Sequence, residues 1–281
     1  MRYLVAVSGG IDSVVLLDML VADQKHELIV AHFDHGIRPE SMEDARFVEG
    51  LARLYNLPFV TKREELGSTA SEDLARSRRY AFFNEEAKKQ NAVIATAHHS
   101  DDVIETIAIN LTRGTGWRGV AAVGNMSIAR PLLHLTKNDI RKYATVKRLE
   151  WVEDSTNSSD IYLRNRIRQK ISTSLSEKTK RELLDIWKNQ LVLKEKIYKE
   201  EDTLIRAGED QSRYLLINSD SLSAEELLRG TIMKKAGVAC TRPQASRALL
   251  AIKTAKPGTI FEIGAGCNLH FKVQTFTIQN T

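Results

Sequence analysis

Residues 3–13 read Tyr3-Leu4-Val5-Ala6-Val7-Ser8-Gly9-Gly10-Ile11-Asp12-Ser13, an apolar, β-branched run that stops at a serine and two glycines. A short apolar run bounded by turn residues reads as a buried strand, and the stretch 13–23 that follows has helical spacing. A strand that passes through two glycines into a helix brings backbone N–H groups to a helix N-terminus, where small residues let an anion approach. Ser8, Gly9, Gly10, Ile11, Asp12 and Ser13 therefore read as a phosphate cradle. A tight turn with Ser13 as a local cap is the plainer reading of the glycine pair alone. The Gly-Lys-Ser/Thr ending of the Walker loop is missing, which argues against γ-phosphate transfer by a loop of that kind.

Working outward, strands are expected at 28–33, 58–61 and 92–97, with helices at 41–55, 71–90 and 103–113 between and after them. Asp102 with Glu105 fits a capping box at the start of the last helix, and Gly114 fits its left-handed stop. Strand and helix in alternation predict an α/β fold, an open, doubly wound, mostly parallel sheet. The polar stretch 154–160 reads as a loop. A long charged helical region, about 177–206, follows, with Leu183, Leu184, Ile186, Trp187, Leu191, Ile197 and Leu204 as a packing stripe. From residue 212 a small α+β domain is expected: a strand at 214–218, helices near 224–236 and 242–252, and β pattern at 259–263 and 268–278. The chain thus divides into a catalytic domain over 1–170, a helical linker over 171–211 and a C-terminal domain over 212–281.

Composition narrows the classes. The 281 residues are 42% hydrophobic and 27% charged, which argues against disorder and against a fibrous repeat. No run approaches the roughly 18–20 apolar residues of a membrane span, and the first residues lack a signal-peptide cleavage pattern, so a cytoplasmic protein without membrane contact is expected. Two cysteines, Cys240 and Cys267, form no C-x-x-C pair and supply neither a disulfide framework nor an iron–sulfur site by themselves. The net charge is +5, and it is concentrated: residues 161–181 hold Arg164, Arg166, Arg168, Lys170, Lys178, Lys180 and Arg181 against one acid, Glu177. Such a segment suggests phosphate or nucleic-acid contact, with a solvated helix face as the plainer alternative.

In a doubly wound sheet, ligands bind outside the carboxyl ends of the strands. The second strand ends in Ala31-His32-Phe33-Asp34-His35-Gly36-Ile37-Arg38 and the fourth in His98-His99-Ser100-Asp101-Asp102, with Glu105 one turn on. Histidines and carboxylates at this spacing can hold a transition metal, form a substrate site or cap a helix. Three acids beside a phosphate cradle make oxygen-bound Mg²⁺ and a cationic substrate the more economical uses.

These stretches belong together. Ser8–Ser13 is similar to the S-G-G-x-D-S loop of the PP-loop ATP pyrophosphatases, which cleave ATP between its α- and β-phosphates and activate a substrate as an adenylate. Within that superfamily the chain resembles the tRNA(Ile)-lysidine synthases. The matching stretches are Asp34-His35-Gly36-Ile37-Arg38-Pro39-Glu40-Ser41, Ala75-Arg76-Ser77-Arg78-Arg79-Tyr80, His98-His99-Ser100-Asp101-Asp102-Val103-Ile104-Glu105-Thr106, Arg113-Gly114-Thr115-Gly116-Trp117-Arg118-Gly119, Arg130-Pro131-Leu132-Leu133, and Asp154-Ser155-Thr156-Asn157 leading into Arg164-Asn165-Arg166-Ile167-Arg168. They span residues 4–170 in the family's order. Ser100 stands where Ala is common, Val103-Ile104 where Gln-Ala is usual, and the chain is shorter than members that carry a further C-terminal domain.

The resemblance implies transfer of AMP from ATP to the carbonyl oxygen at carbon 2 of the wobble cytidine in a CAU anticodon of tRNA(Ile). The side-chain amine of free lysine then displaces AMP, giving lysidine and pyrophosphate. It implies ATP and Mg²⁺ as cofactors, tRNA(Ile) and lysine as partners, and leaves a homodimer open. An amine with a pKa of about 10.4 is neutral in roughly one molecule in a few thousand near pH 7, so the site must bind lysine and assist its deprotonation. Asp101, Asp102 and Glu105 are candidates to hold it, one of them as base. Asp12 is the candidate Mg²⁺ ligand, Ser8, Gly9, Gly10, Ile11, Asp12, Ser13, His32 and Asp34 the ATP-binding set, and Arg76 and Arg79 the guanidinium groups for charge developing on phosphorus. Arg164, Arg166 and Arg168 are expected on the anticodon stem or loop, and the C-terminal domain on the rest of the tRNA. Two readings compete: a sulfur-inserting PP-loop tRNA enzyme, which two unpaired cysteines disfavour, and a non-catalytic RNA-binding protein, which has no chemical need for Asp12, Asp101, Asp102 and Glu105 together.

Overall fold

A computed structural model describes residues 1–36, 41–67, 70–114, 116–121, 123, 128–153, 163–205, 210–264 and 266–280. The expected loop at 154–160 and the stretch Ile37-Arg38-Pro39-Glu40 lie outside them. The chain forms two compact units, residues 1–190 and 191–281.

The first unit is built on five strands, β1 (Arg2–Ala6), β2 (Glu27–Asp34), β3 (Phe59–Arg63), β4 (Val93–Ala95) and β5 (Ile128–Ala129). Their order is β3-β2-β1-β4-β5, and each neighbouring pair is parallel. The expected doubly wound sheet is thus present, with a short fifth strand that sequence reading did not separate. Helices α1 (Ile11–Asp23), α2 (Ser41–Leu54), α3 (Glu72–Lys89), α4 (Ser100–Thr112), α5 (Trp117–Val120), α6 (Lys137–Lys147) and α7 (Leu163–Ser174) belong to this unit, and the long α8 (Glu177–Leu204) crosses the division.

Alternation along the strands explains why both faces are covered. Val5 and Val7, with Leu28 and Val30, pack against Val15, Leu16, Leu17 and Leu20 of α1 and against Val48, Ile140 and Ala144. Leu4, Ile29, Ala31 and Phe33 point the other way and meet Phe82, Phe83 and Ala87 of α3. Buried on both faces, these strands read as continuous apolar runs, the mark of a parallel sheet. Asp18 ties the first layer together: its carboxylate accepts from Tyr55 Oη at 2.8 Å and Tyr143 Oη at 2.7 Å. Burial and that shared carboxylate push the Tyr143 hydroxyl up to about 12.

Two local readings are corrected. α4 begins at Ser100, three residues before the expected start, because the Asp102 carboxylate accepts from the backbone N–H of His99 at 2.9 Å. Asp102 therefore caps His99 and has no capping partnership with Glu105. Gly114 does adopt the left-handed conformation expected after the helix, with φ 70°. Of the stripe on α8, Trp187 is buried, whereas Ile186 and Leu204 are about half exposed at 51% and 47%.

The second unit holds β6 (Gln211–Ser212), α9 (Arg213–Asn218), α10 (Ser221–Ala236), α11 (Arg242–Thr254), β7 (Ile260–Gly264), β8 (Cys267–Phe271) and β9 (Thr275–Asn280), with an antiparallel sheet ordered β6-β9-β8-β7. The strand expected at 214–218 is a helix. Ser212 caps it by accepting from Leu215 N, and buried Arg213 anchors its first residue. That guanidinium donates to the carbonyls of Ile252 at 2.8 Å, Ala255 at 2.9 Å and Lys272 at 3.1 Å, and lies 5.3 Å from the Phe271 ring centroid. The β pattern at 268–278 is two strands, turned by a bond from Lys272 N to Thr275 O. Cys240 and Cys267 are free thiols buried in this core.

Among the described residues no helix is long and apolar enough to cross a membrane. Arg213→Met would keep most of the buried volume but leave three carbonyls without their charged donor. We expect it to destabilise the C-terminal unit by on the order of 3 kcal/mol, read as faster amide hydrogen exchange across β8 and β9; unchanged exchange would remove this anchoring role.

Candidate active site

Strand order reverses between β1 and β4, and the loops that follow those two strands face one another across the crevice there. A cavity of about 1790 Å³ opens at this point. Ser8, Gly10, Ile11, Asp12, Ser13, His32, Asp34, Arg76, Arg79, Asp101, Asp102, Glu105 and Arg168 all line it. Arg166 is exposed and does not, and the side chain of Arg164 lies outside the described residues.

The loop after β1 is held by its own serines. Ser8 N donates to Ser13 Oγ at 3.1 Å, Ser13 Oγ donates to the Gly10 carbonyl at 2.8 Å, and Gly10 N donates to Ser8 Oγ at 3.4 Å. Gly9 sits at φ 91°, a conformation that L side chains rarely adopt. Its carbonyl accepts from Val152 N at 3.0 Å, so a segment far along the chain pins the loop from outside. Gly10 is the N-cap of α1 and supplies no side-chain cap, which leaves first-turn amides and the positive end of the helix for an anion.

His32 is fixed beside this loop. Its Nδ1 donates to the Val7 carbonyl at 2.8 Å, and burial lowers its pKa, so the ring is neutral with Nε2 as an acceptor. Asp34 lines the cavity, where a nucleotide contact is expected of it, and also holds the turn after β2. It is 4% exposed; one carboxylate oxygen accepts from Gly36 N at 2.8 Å and the other from Arg63 at 2.9 Å. These bonds shape the turn after β2. Gly36 is required there, since at φ 61° an added Cβ would stand 2.9 Å from the backbone of Glu65.

The acids after β4 surround a histidine. His99 is buried, with Nδ1 3.6 Å from Asp101 and Nε2 3.6 Å from Asp102 and 3.9 Å from Asp12. Burial works against a charge on this ring, but the nearby carboxylates of Asp101, Asp102 and Asp12 outweigh it, and the pKa is raised. His99 in turn holds the Asp101 carboxyl down at about 2, helped by the Lys137 N–H, which donates to Asp101 at 2.8 Å. Glu105 is 2% exposed and receives the Arg168 guanidinium in a bidentate pair, Nε at 2.5 Å and Nη2 at 3.1 Å; the same group lies 3.6 Å from Asp102. Arg168 thus lines the cavity, and the RNA contact expected of it would be made from there.

Sequence reading missed Lys137, at the first position of α6. Its Nζ contacts both oxygens of Asp12 at 2.5 and 2.7 Å. The signal that locates α6 is Thr136-Lys137-Asn138-Asp139, whose ends close a capping box: Asp139 accepts from Thr136 N at 3.0 Å and Thr136 Oγ1 from Asp139 N at 3.2 Å. Across the cavity, α3 presents Arg76 and Arg79 one turn apart, with Arg76 stacked 4.9 Å from the Tyr80 ring centroid.

Among the described residues no group of three or more His, Cys, Asp and Glu is arranged to hold a metal ion, so a transition-metal reading of the His98–Asp102 motif finds no support there. The donor chemistry fits a different cation. Asp12, one-third exposed at the mouth of the anion loop, offers carboxylate oxygens of the kind that Mg²⁺ takes together with phosphate oxygens.

Near this loop His35 is pushed down from 6.5 to about 4, first by burial and then by the Arg79 charge. The unfolded chain therefore takes up this proton before the folded one: the contribution to stability is whole above pH 6.5 and is lost as pH falls toward 4. An imidazole titration followed by NMR should place His35 near pH 4, and Arg79→Gln should move it upward; an unmoved value would leave burial as the sole cause.

A PP-loop domain family model matches residues 1–175. Curated relatives that carry the name tRNA(Ile)-lysidine synthase include one from Geobacter sulfurreducens, 41% identical over 60% of this chain and 39% of its own, and one from Thermosipho africanus, 42% identical over 60% and 43%. Another, from Solibacter usitatus, is 35% identical over 82% of this chain and 50% of its own. The chain spans about half or less of the length of these relatives. Among solved structures, a U34-tRNA thiolase from Methanococcus maripaludis superposes with a TM-score of 0.58 at 16% identity, over 69% of this chain and 72% of that one, a likeness of fold. With the loop after β1, the reversed strand order and a family match over the whole first sheet, the chain belongs to the PP-loop domain family.

Proposed function

We propose that this chain uses ATP and Mg²⁺ to join free lysine to carbon 2 of the wobble cytidine in the CAU anticodon of tRNA(Ile), which changes decoding from AUG to AUA. The observation that carries this reading is the pairing, in one cavity, of an anion loop at the start of α1 with a cluster of carboxylates already occupied by cations. The first half suits a triphosphate and the second an amine. The names of the relatives above support this reading of the reaction.

In the first step the cytosine carbonyl oxygen attacks the α-phosphorus of ATP; the bond from oxygen to phosphorus forms and the bond to the β-phosphate oxygen breaks, releasing pyrophosphate. Amides at the start of α1 hold the phosphates, and His32 offers a neutral acceptor beside them. Asp12 would hold Mg²⁺, which supplies charge neutralisation at the phosphates. Lys137, which shares Asp12, then has a four-carbon stem with which to reach a phosphate oxygen, and Arg76 and Arg79 face the same space. In the second step the lysine amine attacks carbon 2, and AMP leaves with the former carbonyl oxygen. The substrate ammonium gives up one proton before attack and another on addition. Asp101, held at about 2, stays ionised at neutral pH and suits the holding of a cation better than the taking of a proton.

The test is incorporation of labelled lysine into a tRNA(Ile) transcript bearing CAU, with AMP release followed in parallel. Lysine and AMP should appear in equal amounts. Asp12→Ala should abolish both, and Lys137→Met should slow pyrophosphate release by about 100-fold, the scale of losing one charge-stabilising group. AMP release without lysine on RNA would mean a different nucleophile; neither product from folded protein would favour a binding role.

A further inference from the structure

The deepest carboxylate of the cluster is paired with a cation from the chain itself. Glu105 is almost wholly buried and both its oxygens are used by the Arg168 fork. The fork fills the bidentate seat on Glu105, so a substrate ammonium that took that seat would displace the guanidinium. Displacement is geometrically open. The Arg168 side chain is 43% exposed, whereas Glu105 is 3% exposed. α7 is held against α4 by Ile167 and Ile171 packed on Ile104, contacts that do not involve the guanidinium. The helix can therefore stay while its arginine turns. What it would turn toward is set by its neighbours: Arg166 and Lys170 on the same helix are exposed cations, a surface suited to phosphate.

We propose that Arg168 is a placeholder for the cationic substrate, exchanged between the Glu105 and Asp102 carboxylates and the RNA backbone. RNA phosphate takes the guanidinium, and the lysine ammonium takes the vacated carboxylates. Arg168 is then a positioning residue that makes lysine entry conditional on RNA, and by linkage the two ligands strengthen each other equally. This rests on the reading that the chain joins lysine to RNA. The alternative is a fixed clasp that pins α7 to α4 throughout the reaction.

The two arms of the exchange can be measured separately. Glu105→Gln releases the guanidinium, so affinity for the tRNA transcript by filter binding should rise about 5-fold, and the gain should vanish when Arg168→Gln is added. Arg168→Gln alone should raise labelled-lysine binding to RNA-free protein about 10-fold, a gain that wild-type protein shows only with RNA. Should Arg168→Gln fail to fold, Arg168→Lys keeps the charge without the fork and should shift lysine binding in the same direction by less. A fixed clasp predicts the opposite: Glu105→Gln leaves RNA binding unchanged or weaker, and either Arg168 variant weakens lysine binding. That result overturns the exchange. Failure of lysine incorporation by the wild type would instead overturn the lysine reading, while the Glu105→Gln arm, which contains no lysine, still decides the exchange. Wild-type protein that binds no RNA would overturn both.

Discussion

A parallel sheet delivers every strand's carboxyl end to the same edge, and where the strand order reverses, two neighbouring loops must part. Between β1 and β4 that requirement places the anion loop beside His98–Asp102. The dependence runs in one direction. If Leu4 and Val5 did not pair with Ile94 and Ala95, Asp12 and Asp101 would have no reason to share a histidine. Residues at the start of α6 complete the arrangement, because Lys137 bonds to Asp101 through its backbone and to Asp12 through its side chain.

The cavity is polar but internally compensated. Asp12 faces Lys137, Asp101 faces His99, and Glu105 faces Arg168. Lys137 and Arg168 limit the desolvation cost of their carboxylates as fixed cations, His99 does so to the extent that it holds a proton, and each of these groups is one that an anionic ligand can also attract. Binding at such a site is an exchange of partners. That gives tolerance of burial without ligand, together with a strong preference for ligands that bring the missing charge.

Much of this was legible along the chain. The β1 loop and the acids after β4 announce themselves because the chemistry is local: small residues where backbone must approach an anion, acids at a strand end. Lys137 does not, since an isolated lysine 125 residues from Asp12 looks like any surface cation until the fold closes. Arg168 was read as part of a basic segment, and charge alone cannot tell which member of such a segment turns inward. The partners of Asp34, Gly36 and Arg63, are hidden in the sequence for a related reason, since they depend on the turn and on the neighbouring strand. At 214–218, Tyr214-Leu215-Leu216-Ile217 has the residue types of a strand; a serine cap and the three carbonyl bonds of Arg213 make it a helix.

The two thiols of the sequence lie in the second unit, inside its core, and burial raises both of their pKa values above the ordinary thiol value. Neither is poised to react with an alkylating probe while that unit stays folded. A cysteine placed on the exposed face of α3 or α7 would therefore be the only fast-reacting thiol in the molecule. The native chain is already a near-silent background for fluorescent or spin labels, and distances across the cavity could be followed without first removing a natural cysteine.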